Sequence, residues 1–357
     1  MEEIIQLTED LIRFRTTHSR PDEILRCADF IESYLRAHEI AFRRVDRDQI
    51  PSIMVTRADG SVPILLMSHL DVVEGPDRLF TPSRRDGKLF GRGSIDDKYA
   101  VALSLVLVKE HLNHLKNESK GQDHLKCGLL ITGDEEIGGK KGAREALKEI
   151  KADFCIALDG GNPEKIVVKE KGVLRLKLVS RGKAAHGARP WLGENAIDQL
   201  IDDYGKLKPY FLKSSPDHWH RTMNLSIIKA GKSVNQVPDH AEAIFDIRYT
   251  EEDPVEDLLN TMRREIRGDI EVMEVEPLFR GEDSPYLDGL LEIAEGTKLG
   301  FEHGASDARF LEEHAIKGIV WGAEGNQSQH GDDEHLDLQS LERLHRILEE
   351  FISRIGP

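Results

Sequence analysis

The stretch "PILLMSHLDVVEG", residues 63–75, places a histidine and an aspartate directly after a run of apolar residues. The run has the uninterrupted apolar character of a strand that is covered on both faces. His69 and Asp71 follow two positions apart, and residues i and i+2 of an extended chain point the same way. The end of this strand is therefore predicted to direct an imidazole and a carboxylate at one place.

Other apolar stretches also run into polar groups. These are "GDEEIGG" after residues 127–132, Asp159 after residues 154–158, and His330 in "QHGDDEH" after residues 318–321. The segment "GRGSIDD", with Asp96 and Asp97, precedes a helix predicted to be mostly buried. Ligands of open α/β sheets bind beyond the carboxyl ends of the strands. The sequence therefore predicts a binding site at this edge of a sheet.

Each of these residues also has an ordinary structural explanation. A carboxylate after a strand is commonly a turn residue or a helix N-cap, a role open to Asp96 or Asp97, and His69 could be a hydrogen-bonded core histidine. The adjacent Glu135 and Glu136 are harder to explain this way, since burying them is costly unless cations neutralise them. Two histidines and three carboxylates suit two zinc-like ions if one carboxylate is shared. A second, uncoordinated glutamate would then be a natural general base.

The pattern of secondary structure changes near Lys169 and again near residue 283. Strand–helix alternation in the first part favours an α/β sheet covered on both faces. Residues 170–282 read as β-α-β-β-α-β, the order of a ferredoxin-like α+β sandwich. Beyond them we expect helices over 286–300 and 307–314, a strand, and a last helix. The prediction is an α/β domain of residues 1–169 and 283–357, interrupted by an inserted domain of residues 170–282.

The composition narrows the class of protein. The 357 residues are 39% hydrophobic and 32% charged, with a formal net charge of −16. This acidic balance argues against binding to nucleic acid or to anionic membranes, and no apolar run approaches the roughly 20 residues of a membrane span. The first residues lack the features of a signal peptide, and the three cysteines form no disulfide framework or metal motif. We expect a cytoplasmic protein.

In combination, these motifs resemble the co-catalytic zinc hydrolases that include aminoacylase, carboxypeptidase G, acetylornithine deacetylase, succinyl-diaminopimelate desuccinylase and bacterial dipeptidases. The resemblance covers nearly the whole chain. It implies two Zn²⁺ ions per chain, for which Co²⁺ or Mn²⁺ can substitute. The implied ligands are His69, Asp96 as the bridge, Glu136, Asp159 and His330. The resemblance also implies a cis peptide between Asp96 and Asp97.

The resemblance assigns roles to further residues. Glu135 would be the general base, and Asp71 would orient His69. The inserted domain is similar to the family's lid and dimerisation domain, in which His186 of "KAAHGARP" would help to polarise the scissile carbonyl. The implied substrate contacts are Asn235, Arg248, Ser306 and Arg309. Structural alternatives remain open, because Arg248 could pair with a surface acid and Asn235 could be a turn residue.

The predicted function is hydrolysis of an amide bond near a free carboxylate, in an exopeptidase or dipeptidase. Asp159 favours this choice, because aspartate at that position is more typical of the dipeptidase and aminopeptidase branches of the family. The alternative is an N-acyl-amino-acid deacylase similar to acetylornithine deacetylase or succinyl-diaminopimelate desuccinylase. A non-catalytic metal-dependent binding protein is a third hypothesis, against which the presence of Glu135 argues.

The resemblance also implies a homodimer formed through the inserted domain, in which residues such as His186 complete the site of the other chain. The sequence departs from the family at Tyr99, which stands where many family members have glycine.

Overall fold

The structure is a computed structural model that describes residues 1–356, and its chain divides into two compact units. The first unit comprises Met1–Lys169, Arg280–Glu302 and the residues from Ser306 onward. The second comprises Glu170–Phe279 and His303–Ala305. The role of the second unit as a lid and dimerisation domain stays a prediction.

The first unit contains both helices and strands. Its helices are α1 Glu2–Ile12, α2 Pro21–Ala37, α3 Lys98–Asn117, α4 Ala143–Ala146, α7 Pro285–Ile293 and α8 Leu338–Arg354. Its strands are β1 Arg43–Arg47, β2 Ile50–Val55, β3 Ser61–His69, β4 Ser83–Arg85, β5 Lys88–Phe90, β6 Cys127–Thr132, β7 Lys151–Ala157, β8 Lys165–Glu170, β15 Phe279–Arg280, β16 Lys298–Glu302, β17 Lys317–Val320 and β18 His335–Asp337.

A nine-stranded mixed sheet forms the centre of this unit, in the order β1-β2-β6-β3-β7-β17-β8-β15, with β16 paired to β8. The neighbours β6, β3, β7 and β17 run parallel. Their carboxyl ends therefore lie at one edge, where β3 ends at His69 and β7 ends two residues before Asp159. The predicted α/β sheet is confirmed, and so is the edge at which its polar residues follow.

The strands of this sheet are apolar because both of its faces are covered. All six residues of β6 are buried, as are the last six of β3. Helix α3 is buried at every residue from Lys98 to Val108, as its apolar sequence predicts. Burial without alternation is the pattern of a strand between two layers of helices.

A second, three-stranded sheet of the first unit has the antiparallel order β18-β5-β4. His335 at the start of β18 lies opposite Phe90 at the end of β5. The start of the loop that follows β5 therefore lies beside the end of the loop that precedes β18. These two loops carry Asp96 and His330, so the small sheet brings the two loops together.

Tyr99 links the ends of two parallel strands. Its hydroxyl donates to the carbonyl oxygen of Leu158 at 2.6 Å and accepts the backbone N–H of Ala323 at 2.9 Å. A Cβ at position 322 would lie 2.3 Å from the Tyr99 hydroxyl oxygen, so Gly322 leaves the space that the ring requires. The tyrosine thus holds the segments that follow β7 and β17 together, next to Asp159.

The second unit has the predicted β-α-β-β-α-β order. Its elements are β9 Gly172–Arg181, β10 Ala185–His186, α5 Ala196–Leu207, β11 Thr222–Ala230, β12 Gln236–Val237, β13 His240–Tyr249, α6 Val255–Glu265 and β14 Asp269–Glu276. The antiparallel sheet has the order β11-β13-β9-β14, which is the ferredoxin-like arrangement. Apolar residues of α5 and α6 pack on one face of this sheet.

Two predicted helices are wrong in extent. The helix expected over 286–300 ends at Ile293, because Ala294 leaves the helical conformation with φ −82° and ψ 59°, and residues 298–302 form β16 instead. The helix expected over 307–314 is two 3₁₀ turns, Asp307–Phe310 and Glu312–His314, and Ala315 with a φ of 55° ends the second.

Among residues 1–356, none of the helices combines the length and the apolar character needed to cross a membrane.

Candidate metal centre

Side chains from separate loops meet at the carboxyl edge of the parallel strands. Their potential ligand atoms form two groups, and within each group all atoms lie within 4.8 Å of one another. The groups are His69, Asp96 and Asp159, and Asp96, Glu136 and His330. The five side chains predicted as metal ligands therefore lie together, and Asp96 belongs to both groups.

Asp96 lies between two imidazoles. Its Oδ1 is 3.0 Å from His69 Nε2, and its Oδ2 is 3.1 Å from His330 Nε2. Asp159 Oδ2 lies 3.7 Å from the same nitrogen of His69, and Glu136 Oε2 lies 3.2 Å from His330 Nε2. A carboxylate whose two oxygens face different imidazoles has the arrangement needed to bridge two cations. The peptide bond between Asp96 and Asp97 is cis, as the resemblance implies.

The donor set fits a metal by its chemistry as well as by its spacing. Glu136 Oε1 is inaccessible to solvent and has no hydrogen-bond partner within residues 1–356, and His69 Nε2, also inaccessible, makes no well-aligned hydrogen bond there although Asp96 Oδ1 lies 3.0 Å away. Buried polar atoms are normally paired, so these two atoms have capacity for a ligand that the protein itself does not supply. Hydrogen bonds with Asp96 and Glu136 raise the pKa of His330 to about 10, which shows that the carboxylates favour positive charge there.

Asp71 joins the strand end to the turn that carries the two glutamates. Its Oδ1 accepts the backbone N–H of Glu135 at 3.2 Å, and its Oδ2 accepts that of Glu136 at 3.0 Å. His69 Nδ1 lies 3.0 Å from the backbone oxygen of Asp71 and 3.4 Å from its Oδ1. Burial raises the pKa of Asp71, but hydrogen bonds with His18 and His69 outweigh this and lower it to about 2.

Glu135 and Glu136 belong to a 3₁₀ turn, Glu135–Ile137, that follows β6. Burial raises the pKa of Glu135 well above its ordinary value, and the charge of Asp159 adds to this effect. Burial likewise raises the pKa of Glu136. Successive side chains diverge, so Glu136 meets His330 while Glu135 lies beside Arg309, whose Nη1 is 3.7 Å from Glu135 Oε1.

The loop after this turn passes close over a buried acid that the sequence analysis missed, Asp307. Gly139 has a φ of 62°, and a Cβ there would lie 1.9 Å from Asp307 Oδ1. Thr132 Oγ1 donates to Asp307 Oδ2 at 3.4 Å. Burial raises the pKa of Asp307 to about 7. The last glycine of "GDEEIGG", Gly139, therefore has a steric reason, since any side chain there would displace this carboxyl group.

Ser306 and Arg309, the predicted substrate contacts of this unit, are buried at 3% and 5% exposure. Ser306 Oγ accepts the backbone N–H of Ala308 at 3.3 Å, which caps the 3₁₀ turn. Arg309 Nη1 donates to the carbonyl oxygen of Ser306 at 2.8 Å. Their roles in substrate binding stay predictions, and the structure adds the proximity of Arg309 to Glu135.

In the second unit, His186 and Asn235 lie on neighbouring backbone segments. His186 pairs with Gln236 in the ladder of β10 and β12, and the carbonyl oxygen of Asn235 accepts the N–H of Gly187 at 2.7 Å. Both side chains are exposed. His186 Nδ1 accepts the backbone N–H of Ala188 at 3.0 Å, so the ring carries a proton on Nε2, which can donate.

Arg248 on β13 pairs with an acid of its own strand. Its Nε donates to Asp246 Oδ1 at 2.7 Å, and its Nη2 donates to Asp246 Oδ2 at 3.3 Å. The side chain of Arg248 is 29% exposed. Arg248 therefore pairs with an acid, which is the structural alternative given for it above. Its role in substrate binding stays a prediction.

A buried ion pair joins the loops that carry Asp96 and His330. Arg92 and Glu334 are 2% and 1% exposed and form a direct salt bridge. Glu334 Oε1 also accepts the backbone N–H of Gly93 at 2.8 Å, and Arg92 Nη2 donates to the carbonyl oxygen of His330 at 3.2 Å. His330 has a φ of 62°, which is uncommon for a residue other than glycine. The ion pair therefore fixes both loops where the two groups of ligand atoms meet.

Sequence reasoning also missed His18, whose Nε2 lies 2.9 Å from Asp71 Oδ2. No spacing or periodicity marks this residue in its polar segment "TTHSR". Arg92 carried a usable signal, because an arginine between two glycines, just before the predicted ligand Asp96, is well placed for such a contact.

Comparison with known proteins gives the family. The family model described as peptidase family M20/M25/M40 matches residues 65–354. The chain belongs to this family. The resemblance inferred from the motifs is confirmed, and the chain is a metal-dependent hydrolase of the M20 type.

Similar proteins include both peptidases and a deacylase. A "Probable carboxypeptidase" of Aspergillus clavatus is 30% identical over 336 residues, covering 86% of this chain and 76% of the relative. A succinyl-diaminopimelate desuccinylase of Cupriavidus necator is 27% identical over 394 residues, covering 99% of this chain and 100% of the relative. The solved M20 family metallo-carboxypeptidase Sso-CP2 of Sulfolobus solfataricus shares the fold, with a TM-score of 0.78, 17% identity and 99% coverage of both chains.

The ion pair of Arg92 and Glu334 generates a test of how these loops are held. Replacing Arg92 by Met leaves a buried, unpaired carboxylate, which typically costs about 3–5 kcal/mol and lowers the melting temperature by about 10 °C. The deficit should shrink from about pH 8 to about pH 5, because protonation of Glu334 removes the unpaired charge. Calorimetry of the metal-free variant measures both effects.

Arg78→Met is the matched control, because Arg78 pairs with Asp332 in the same region while both side chains are 62% and 71% exposed. An exposed pair contributes about 0–1 kcal/mol. Equal melting temperatures for the Arg92 and Arg78 variants would contradict the role of the buried pair.

Proposed function

We propose that the chain is a di-zinc exopeptidase or dipeptidase that hydrolyses an amide bond next to a free carboxylate. The observation that carries this proposal is Asp96, whose two oxygens face His69 and His330 beside the glutamate pair. Bound there, zinc ions would act as Lewis acids on the scissile carbonyl and lower the pKa of the attacking water.

The ligand atoms would divide between two ions. His69 and Asp159 would hold one ion, Glu136 and His330 would hold the other, and Asp96 would be shared. Imidazole and carboxylate ligands suit Zn²⁺, and Co²⁺ or Mn²⁺ would be able to substitute.

Glu135 is the proposed general base. It lies next to a ligand but outside both groups of ligand atoms, and its pKa is raised by burial. Its carboxylate accepts a proton from the attacking water while the water oxygen bonds to the carbonyl carbon. As the C–N bond breaks, the same proton passes from Glu135 to the leaving amine nitrogen, which departs neutral.

Besides Ser306 and Arg309, the proposed substrate contacts include three residues of the second unit. His186 presents Nε2–H as a donor, because its Nδ1 accepts the N–H of Ala188, and that donor would polarise the scissile carbonyl oxygen. Asn235 and Arg248 would contact the carboxylate side of the substrate. Arg248 would then exchange part of its pairing with Asp246 for the substrate carboxylate.

The two candidate reactions differ in the group that lies N-terminal to the scissile bond. This group is an amino acid in the leading proposal and a simple acyl chain in the alternative. Asp159 favours the peptidase, through the family resemblance. The relatives include a carboxypeptidase and a desuccinylase, so an N-acyl-amino-acid deacylase is the second candidate.

We propose that two copies associate through the second unit. Strand β11 forms one edge of its sheet and exposes Ile227 and Ile228 at 46% and 57%. Ile201 of α5 is 61% exposed. An apolar sheet edge of this kind is a template for strand pairing, and a second copy offers the same edge under two-fold symmetry.

We propose that the protein acts in the cytoplasm. Cys27, Cys127 and Cys155 are all buried free thiols, which suits a reducing compartment.

Matched substrates test the proposed reaction. Gly-Leu and N-acetyl-Leu differ only in the amino group, and Gly-Leu amide lacks the free carboxylate. With zinc, cobalt or manganese, we expect kcat/KM for Gly-Leu to exceed both by about tenfold or more, since a site that pairs a polar group discriminates against its absence. Faster cleavage of N-acetyl-Leu or N-succinyl-Leu would favour the deacylase. If the metal-loaded protein turned over none of these compounds, the result would contradict both the peptidase and the deacylase.

The adjacent glutamates should separate metal binding from proton transfer. Glu135→Gln keeps the size of the side chain and should retain about two zinc equivalents per chain while kcat falls about 10²- to 10⁴-fold, with KM little changed. Glu136→Gln should instead lose one equivalent. Elemental analysis and steady-state kinetics measure the two effects. A Glu135→Gln variant with near wild-type kcat would show that the base is misassigned.

The proposed dimer depends on one edge of the second sheet. Ile228→Lys on β11 should give a monomer by light scattering at micromolar concentration, because it buries an unpaired charge at the interface. Val272→Lys is the control, since Val272 is 41% exposed on β14 at the opposite edge. A wild-type protein that is monomeric at these concentrations would rule out this assembly.

A further inference from the structure

The segment between α1 and α2 is fastened to the loop that follows β3. The backbone N–H of Val72 donates to the carbonyl oxygen of Thr16 at 3.0 Å. Thr16 Oγ1 donates to the carbonyl oxygen of Leu70 at 2.6 Å, and Thr16 is fully buried. This short segment, residues 15–19, therefore has a fixed position on both sides of Asp71.

His18 is the member of this segment that reaches the carboxylate of Asp71. Its Nε2 lies 2.9 Å from Asp71 Oδ2, and its side chain is 24% exposed while that of Asp71 is 0% exposed. The same Oδ2 accepts the backbone N–H of Glu136, and Oδ1 accepts that of Glu135. A buried carboxylate needs its oxygens paired, so the donor from His18 completes a set that the two backbone N–H groups begin.

The contacts form a chain of three links. His18 fixes the rotation of the Asp71 carboxylate, this carboxylate fixes the amides of residues 135 and 136, and those amides set the turn that carries the proposed base and a proposed ligand. A residue that hydrogen-bonds directly to a metal ligand, as Asp71 does to His69, typically changes metal affinity or activity by about 10- to 100-fold when it is lost, and His18 acts through this residue.

We propose that His18 is a positioning residue for the glutamate pair, acting through Asp71 rather than by contact with substrate or metal. The proposal rests on the function proposed above for Glu135 and Glu136. It extends the site to the segment between α1 and α2, where the family motifs did not point.

Hydrogen exchange tests the first part of this proposal without metal or substrate. His18→Ala in the metal-free protein should speed exchange of the amides of Glu135 and Glu136 about tenfold or more, because their acceptor is no longer held. His18→Gln should restore much of the protection, since its amide N–H can replace Nε2–H. Ser19→Ala is the matched control, because Ser19 lies on the same segment and donates to the exposed Glu74 at 2.5 Å.

Kinetics and zinc competition test the second part. In His18→Ala we expect kcat or the zinc affinity to fall about 10- to 100-fold, with KM nearly unchanged and with recovery in His18→Gln. A change confined to KM would indicate substrate contact and would overturn the proposal. So would exchange, zinc affinity and kcat that all match those of Ser19→Ala.

The two proposals fail in different ways. If the wild-type protein cleaves none of the substrates, the proposed function is wrong, while faster amide exchange in His18→Ala would still establish the positioning role. If His18→Ala does not fold, the same comparison is made between His18→Gln and a His18→Leu variant, which has no donor.

Discussion

The crowding of carboxylates at one edge of a parallel sheet is the constraint on which this structure depends. A buried carboxylate without a partner is very costly, and parallel strands deliver several to the same place. Asp71 is met by two backbone N–H groups and by His18, and Glu334 is met by Arg92. The ligand atoms of Asp96, Asp159 and Glu136 are left facing imidazoles. The acids whose hydrogen bonds come from the protein, Asp71 and Glu334, thus hold in place the loops that carry the acids available to a metal.

The fold and the set of candidate ligands could be predicted because their signals are local. An apolar run predicts a buried strand, and the residues directly after it must lie at the edge of the sheet. The partners of those residues come from distant parts of the chain. Arg92 and Glu334 lie 242 residues apart, and His18 and Asp71 lie 53 apart. No periodicity indicates such pairs, and for this reason the supporting contacts emerged only from the structure.

The errors also have local physical causes. Ala294 and Ala315 leave the helical conformation and end helical segments that apolar spacing alone would continue. The prediction that Arg309 contacts substrate is not one of these errors, and it stays a prediction. In the structure its guanidinium is buried beside Glu135. A cation there favours the ionised form of the base, which opposes the effect of burial on its pKa.

The two groups of ligand atoms differ in their access to solvent. The side chain of His69 is 2% exposed, while that of His330 is 53% exposed and lies on a loop whose backbone has a left-handed conformation. The first group is anchored at the ends of β3 and β7, and Tyr99 ties the segment after β7 to that after β17. The position of the second group depends on the pairing of Arg92 with Glu334, which holds the loops that carry Asp96 and His330. An ion held by the second group, as proposed, would lose a ligand on movement of one loop, whereas an ion held by the first would be anchored by the ends of two strands. The fold would therefore make the two proposed ions unequally labile.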